Sequence, residues 1–576
     1  MAFLDWAVVI FFFAFTIWDG IHQSGKTRNV EGLLLADRSM AWWAIGISVI
    51  ATQASAISFI ATTGYAYVHD MGFLQMYLGL PIAMIILCVT LVPFFYKAKI
   101  FTAYEVLEKR FGLKVRLVTS SLFLFSRGLA MGTTIAAPAY VLALILNISL
   151  TSTILLTGLV ATVYTTFGGI KGVIRTDVKQ LSLMMVGLFF CFFFLIYKLP
   201  ENVSFSDSLH LSGSLGKLNI LDFSADTSEK YTIWSGLIAG VFLFLSYFGS
   251  DQTQVQRFLT AKSLNHARGS LILSAFAKLP MMFFMLLIGV MLYVFFIFKP
   301  APILFIPEDG SKIEIGDDIA QFNSVLDERR KSAYQFIEDR TNKENQKNFQ
   351  KSDEKYIELR QQHMTSLSQE SEKDRNDTNY VLPYFVLNEL PHGIIGLIIA
   401  AIFAAAFSSM DSGLNSLAAS TTIDWYQRLR KKDGTDRHYL SFTRWSTVFW
   451  GLFATVGALL IGETRSLIEL VNQIGSYFYG SILGVFVILF IKRTNGTGAL
   501  IGLIGGIISV LLIDAVYIVS SSKELLLFMP ELVRTALGVA IPIGTEKLVS
   551  YLWLNPIGTI AVVTIALITS FKAKKQ

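Results

Sequence analysis

A chain of 576 residues that is 53% hydrophobic and only 16% charged carries too little charge for a soluble globular protein. Its mean hydropathy of +0.55 and its long unbroken apolar runs predict helices that cross a membrane rather than a barrel. The net charge of +6 is modest and the basic residues gather beside apolar runs, so nothing in the pattern indicates a nucleic-acid partner.

Taken in order, the chain shows about thirteen runs near the length needed to span a bilayer. They cover residues 3–18, 42–65, 73–95, 117–146, 154–166, 181–197, 234–249, 271–298, 394–421, 445–461, 467–491, 499–519 and 553–571. The fifth is the shortest, and residues 525–551 read as an interfacial helix. Asp5 precedes the first run and no small-residue cleavage site follows it, so that run reads as a retained span. Cys88 and Cys191 lie within apolar runs and form no metal-ligand spacing.

Loop charges test this count. Loops after odd-numbered runs hold most of the cations: Lys97, Lys99, Lys109, Arg110 and Lys114, then Lys171, Arg175 and Lys179, then Arg257, Lys262 and Arg268, then Arg428 and Arg430. The positive-inside rule therefore expects those loops and the C-terminus in the cytoplasm of a multi-pass inner-membrane protein, with the N-terminus outside. The segment 300–378 is rich in both charge signs, as in Asp327-Glu-Arg-Arg-Lys331. Charges three and four apart favour a solvated helical hairpin. Parity places it outside, where it reads either as a passive insertion or as a partner-binding or capping piece, and its soluble composition predicts that its deletion leaves transport measurable.

The stretch Phe403-Ala-Ala-Ala-Phe-Ser408-Ser409-Met-Asp411-Ser412-Gly-Leu-Asn415-Ser416 puts hydroxyls and a carboxylate at hydrocarbon depth. Polar groups there are costly and tend to be functional. On a helix the Ala405 carbonyl points towards the hydroxyls of Ser408 and Ser409, three and four residues on. Three neutral oxygens suit a hard monovalent cation better than a transition metal. Two other runs are interrupted by polar clusters, Ala51-Thr-Gln53-Ala54-Ser55-Ala-Ile-Ser58 and Ser246-Tyr247-Phe-Gly249-Ser-Asp251-Gln252. Paired interruptions of this kind point to an inverted-repeat transporter with a site near the midplane.

Three motifs in order carry a resemblance to a known family: Gly168-Gly169-Ile-Lys171-Gly-Val-Ile-Arg-Thr176-Asp177-Val178, Gly249-Ser-Asp251-Gln252-Thr-Gln254-Val-Gln256-Arg257, and Ala405 through Ser416. With them the chain resembles the sodium/solute symporters, the group of the sodium–glucose, sodium–proline, sodium–iodide and sodium–sialic-acid transporters. The resemblance implies an all-α, leucine-transporter-like membrane fold. Residues 1–41 would form a leading helix and loop, and 42–230 the first repeat. The second repeat would run through 231–299 and 381–495, split by the 300–380 insertion, with two spans and a basic tail in 496–576. It implies a sodium ion as coupling ion, held by backbone oxygens of Ala51, Ala54 and Ala405 and the hydroxyls of Ser408 and Ser409. A second cation site would use Asp177, Ser408, Asp411 and Ser412; Asp411 stands where some members have a hydroxyl.

By position, solute-lining residues are Gln53, Ser55, Ser58, Gln75, Tyr247, Lys278 and Asn472, with Arg127 lining the site or serving the scaffold. A buried cation such as Lys278 suggests a carboxylate solute, and Ile57, where sugar-carrying members have Glu, argues against a sugar. The reading is a sodium-coupled symporter importing a small hydrophilic organic solute by alternating access. Its partners are that solute, sodium and the bilayer, with no obligate protein partner. A transporter-like solute sensor, or a cation- or proton-coupled carrier without sodium preference, are the alternatives. No nucleophile with paired His and Asp suggests an enzyme.

Overall fold

The structure is a computed structural model, and it describes all residues except 25–28, 147, 300, 306–315, 372–376, 431–433, 462–466, 522–548 and 574–576. The expected interfacial helix at 525–551 thus lies almost wholly outside the described residues. Each of the thirteen apolar runs is helical, and no strand occurs among the described residues. Eight helices are long and apolar enough to cross a membrane by themselves, and a bent pair makes a ninth. The remaining runs are short apolar helices or, in the case of Leu113–Leu146, a long helix dotted with serine and threonine.

The first helix, α1 (Phe3–Ser24), is tied down by its own first turn: Asp5 accepts from the backbone N–H groups of Gly393 (2.6 Å) and Gly396 (3.2 Å). The second run is two helices, α2 (Trp42–Gln53) and α3 (Ala56–Val68), set 56° apart. The break is local chemistry. Ala54 leaves helical geometry (φ −88°, ψ 62°), and the Ser55 side chain then caps α3 by accepting from the Ser58 N–H. Next come α4 (Gly72–Ala98), α5 (Leu113–Leu146) and α6 (Leu150–Tyr197).

The fifth and sixth runs are continuous in α6, with Gly169 at φ +62° as its single non-helical residue. Forty-eight helical residues would reach about 72 Å, more than twice the hydrocarbon thickness, so the chain must turn at this glycine. A short outer helix α7 (Phe205–Ser214) precedes the second broken run, α8 (Ser235–Gly249) and α9 (Gln252–Leu259). Asp251 sits in that break and caps α9 by accepting from the Thr253 N–H at 2.8 Å.

The rest comprises α10 (Leu264–Phe298), the hairpin α11 (Gly316–Glu338) and α12 (Lys343–Ser371), α13 (Val381–Glu389), α14 (Ile394–Ser420), α15 (Asp436–Ile461), α16 (Leu467–Ile488), α17 (Gly496–Ser521) and α18 (Leu554–Ala573). The core is built around α14, whose residues from Ile398 to Ser420 are all buried between α1, α5 and α6. Its small residues permit this closeness. One expectation fails here. Arg257, counted above among loop cations, is fully buried on α9. It belongs to a polar cluster rather than to a loop because its guanidinium has carboxylate and hydroxyl partners waiting on three other helices.

Candidate ion and solute site

The break between α2 and α3 frees carbonyls that an unbroken helix would have used. The Ile50 carbonyl takes the Ala54 N–H at 2.8 Å. The Thr52 carbonyl takes the Ser409 hydroxyl at 3.0 Å, and that hydroxyl also lies 3.3 Å from the Ala405 carbonyl. The Gln53 carbonyl takes the Ser58 hydroxyl at 2.9 Å and the Lys278 ammonium at 3.3 Å. Among the described residues no hydrogen-bond donor reaches the carbonyls of Ala51 or Ala54. Those are two of the three carbonyls in the sodium ligand set that the resemblance implies, the third being that of Ala405. Ser409 therefore joins α14 to the break, and Ala51, Ala54, Ala405 and Ser409 fall into one neighbourhood.

Ser408 turns towards a second cluster. Its hydroxyl donates to Asp177 at 2.5 Å, as does that of Ser48. Arg257 reaches the same carboxylate at 3.2 Å, donates to the Ser48 hydroxyl at 2.8 Å and to the Thr253 carbonyl at 2.8 Å, and contacts the Ser412 hydroxyl. Ser412 in turn contacts the Ser408 carbonyl and lies 3.1 Å from one Asp411 oxygen and 3.4 Å from the Thr52 hydroxyl. The other Asp411 oxygen is buried without a partner. Asp177, Ser408, Asp411 and Ser412, the set that the resemblance implies, thus lie in one cluster. Arg257 and Ser48 stand among them, and the sequence reading did not assign either to a site.

The solute-lining set is only partly assembled. Lys278 is fully buried beside the break, with the Tyr77 ring 5.7 Å away. Among the described residues no carboxylate pairs with it. The side-chain amide nitrogen of Gln53, whose backbone carbonyl Lys278 reaches, is also buried without a partner among the described residues. Ser55 and Ser58 are spent on shaping the break, as above. Tyr247 accepts from Gln254 at 2.9 Å and lies under the Arg127 guanidinium, and Asn472 is half-buried on α16.

Gln75 departs from the expectation. Its amide is saturated by backbone: it donates to the Tyr231 carbonyl at 2.8 Å and accepts from the Asp222 N–H at 2.9 Å, so it holds the loop between α7 and α8. Beside it lies a cavity of about 670 Å³ lined by Tyr65, His69, Asp70, Asp222 and Lys230 among others. Arg127 already has a carboxylate. It pairs with Asp251 and donates to the Tyr479 hydroxyl at 3.0 Å, bracing the second break against α16.

With this geometry in view, comparison with known proteins is informative. The sequence model of the Sodium:solute symporter family matches residues 33–314 and 362–506. The chain belongs to the sodium:solute symporter family. It is similar to the sodium/sialic acid symporter SiaT of Proteus mirabilis, 28% identical over 530 residues that make up 88% of this chain and 89% of that protein. It is also similar to the sodium/glucose cotransporter of Vibrio parahaemolyticus (27% over 524 residues, 88% and 84%) and to the rabbit sodium-dependent multivitamin transporter (24% over 603 residues, 98% and 82%). Among solved structures, a sodium-coupled sialic acid symporter in a substrate-bound, outward-open state superposes with a TM-score of 0.73 at 25% identity. The superposition covers 99% of this chain and 98% of that one.

The fold is accordingly leucine-transporter-like, as the resemblance implied. The protein is a sodium-coupled symporter and not an enzyme. The family model skips residues 315–361, which is the α11–α12 hairpin up to the point where Arg360 stands.

Proposed function

We propose that this symporter imports a small carboxylate-bearing solute, with sodium bound at the α2–α3 break by the carbonyls of Ala51, Ala54 and Ala405 and the hydroxyl of Ser409, and with the Ser408 hydroxyl, whose proton goes to Asp177, turning a lone pair to the ion as fifth ligand. The observation that carries the sodium assignment is the pair of donor-free carbonyls at Ala51 and Ala54 beside the Ser409 bridge. An ion there lowers the cost of the break and pins the end of α2 and the break to α14, which is how sodium binding would favour the solute-ready form.

The carboxylate rests on Lys278. An ammonium buried without a counter-charge is expensive, and a solute anion bridging Lys278 and the Gln53 amide would supply what both groups lack. Sodium and Lys278 together would leave the loaded site with one net positive charge. A second cation would compete with Arg257, which already neutralises Asp177, so its foothold is the unpartnered oxygen of Asp411. The resulting topology has the N-terminus outside and the C-terminus in the cytoplasm of the inner membrane.

Proteoliposome uptake driven by a sodium gradient, run with a panel of labelled carboxylates, sugars and amino acids, tests the reading. Sodium-dependent uptake of a carboxylate, lost in Lys278→Met, is the expected result. Uptake of an uncharged sugar that survives Lys278→Met would refute the solute class.

A further inference from the structure

The α11–α12 hairpin reads in sequence as a solvated appendage, yet its inner face is a buried polar cluster. Arg329 of α11 is fully buried and pairs with Asp353 of α12 at 2.7 Å. Asp353 also accepts from the Tyr293 hydroxyl of α10 at 2.8 Å. The Tyr356 hydroxyl of α12 meets the Tyr67 hydroxyl of α3 at 3.0 Å. Arg360 lies over the Tyr67 ring and pairs with Asp377. Lys217, from the loop after α7, donates to the last carbonyls of α3, Tyr67 at 2.9 Å and Val68 at 2.8 Å. Gly64 of α3 completes the contact: a Cβ there would stand 1.8 Å from the Thr378 carbonyl, so the chain leaving the hairpin presses directly on this helix.

The contacts of Tyr356, Arg360, Lys217 and Thr378 converge on one element, α3. α3 is a thirteen-residue rod whose other end, about 18 Å away, forms the break. A helix of that length moves as a unit, so fixing its outer end fixes where its first turn meets the break, and the carbonyls of Ala51 and Ala54 lie just before that turn. α10 gives the same answer by another route. Its thirty-five residues reach about 52 Å, well beyond the hydrocarbon thickness, and yet Tyr293 to Phe298 are wholly buried. Phe298 packs on Tyr334 of α11, with ring centroids 5.0 Å apart.

We infer that the hairpin is a working part of the transport cycle, and that Tyr356, Arg360 and Lys217 are positioning residues that hold the outer end of α3 so that its break presents sodium ligands. This rests on the sodium assignment above. Burial draws the Lys217 ammonium down to about 8, with Asp353 and Asp70 opposing that shift and Arg329 and Arg360 adding to it. Tyr67 and Tyr293 also face it, the Tyr293 ring at 4.2 Å. A lysine whose docked value lies below its free value of about 10.4 favours docking as pH rises from about 8 towards that value. The clamp should therefore tighten over that window.

The test is sodium-driven uptake per inserted molecule, measured from pH 7 to about 9.5 in wild type, Tyr356→Phe, Lys217→Met, Lys217→Arg and Ser409→Ala. Tyr356→Phe removes one hydroxyl and should raise the sodium half-saturation about three- to ten-fold without lowering the amount in the membrane. In wild type the half-saturation should fall as pH passes about 8; Lys217→Met should show a raised and pH-flat value, and Lys217→Arg, which keeps the donors but never loses its charge, a pH-flat value near that of wild type at about pH 7. Tyr356→Phe carries the test should Lys217→Met fail to insert. Unchanged or lower sodium half-saturation in Tyr356→Phe overturns the inference. If Ser409→Ala shifts the half-saturation and Tyr356→Phe does not, the hairpin role alone falls; if neither shifts, the sodium assignment falls with it.

Discussion

At the scale of single residues, the two carboxylates of the second cluster have different partners and should fail differently. Asp177 is neutralised by Arg257 and by two serine hydroxyls, whereas one oxygen of Asp411 has no partner. Asp177→Asn would leave a fully buried guanidinium without its carboxylate, a loss of about 3–5 kcal/mol. It should therefore lower the amount of folded protein, measured by size-exclusion profiles of the detergent-solubilised variant. Asp411→Asn leaves the Arg257–Asp177 pair intact. It should insert normally and, if a second cation binds there, bring a sodium Hill slope above one down to one. A wild-type slope already at one would show a single coupling ion.

Sequence legibility also divides at this scale. The oxygens of α14 could be read because helical spacing alone puts Ala405, Ser408 and Ser409 together. Arg257 could not, because a lone arginine in a short polar stretch looks like a cytoplasmic charge until α2, α6 and α14 close around it. The backbone bonds of Gln75 were illegible for a similar reason: its partners Asp222 and Tyr231 lie about 150 residues away and carry no local signal.

At the scale of elements, the two breaks divide the labour. The α2–α3 break offers carbonyls and one ammonium. The α8–α9 break is sealed by Asp251, Arg127 and Tyr479. Asp251→Asn should therefore weaken the brace without touching the sodium ligands. It should lower maximal uptake while the sodium half-saturation stays within about two-fold of wild type.

On the opposite side of the molecule from the hairpin, Glu108 in the loop helix Glu105–Phe111 accepts from Arg116 at 2.8 Å and from Arg428. Burial works against its ionisation, but the hydrogen bonds of Arg428 and Arg116 hold its carboxyl below the ordinary range. A carboxyl depressed in the folded state contributes stability above its unfolded value of about 4.3 and loses it as pH falls through the folded value. Thermal stability should thus show no step from this group between about pH 5 and 8. Glu108→Gln should lower the melting temperature throughout that range, as followed by tryptophan fluorescence.

At the scale of the whole molecule, composition and the positions of the apolar runs were enough for a helical membrane transporter, because both follow from the thickness of the solvent. The insertion shows where that reasoning stops. Its charge pattern predicts a solvated hairpin, and Arg329 and Asp353, twenty-four residues apart, look like ordinary surface charges. Only packing against α10 and α3 buries them. Replacing 316–371 by a polar linker would uncover Phe298 and Tyr293 and leave Lys217 facing fewer partners. The expected outcome is a lower melting temperature and loss of most uptake, measured on the detergent-solubilised and reconstituted protein.

The account turns on sodium being held where α14 meets the broken helix, and binding of radioactive sodium to the purified protein measures that without knowledge of the solute. Wild type should bind sodium saturably. Ser409→Ala, which removes one ligand and leaves no buried charge, should weaken that binding about ten-fold or more. Equal sodium affinity in the two proteins would contradict it.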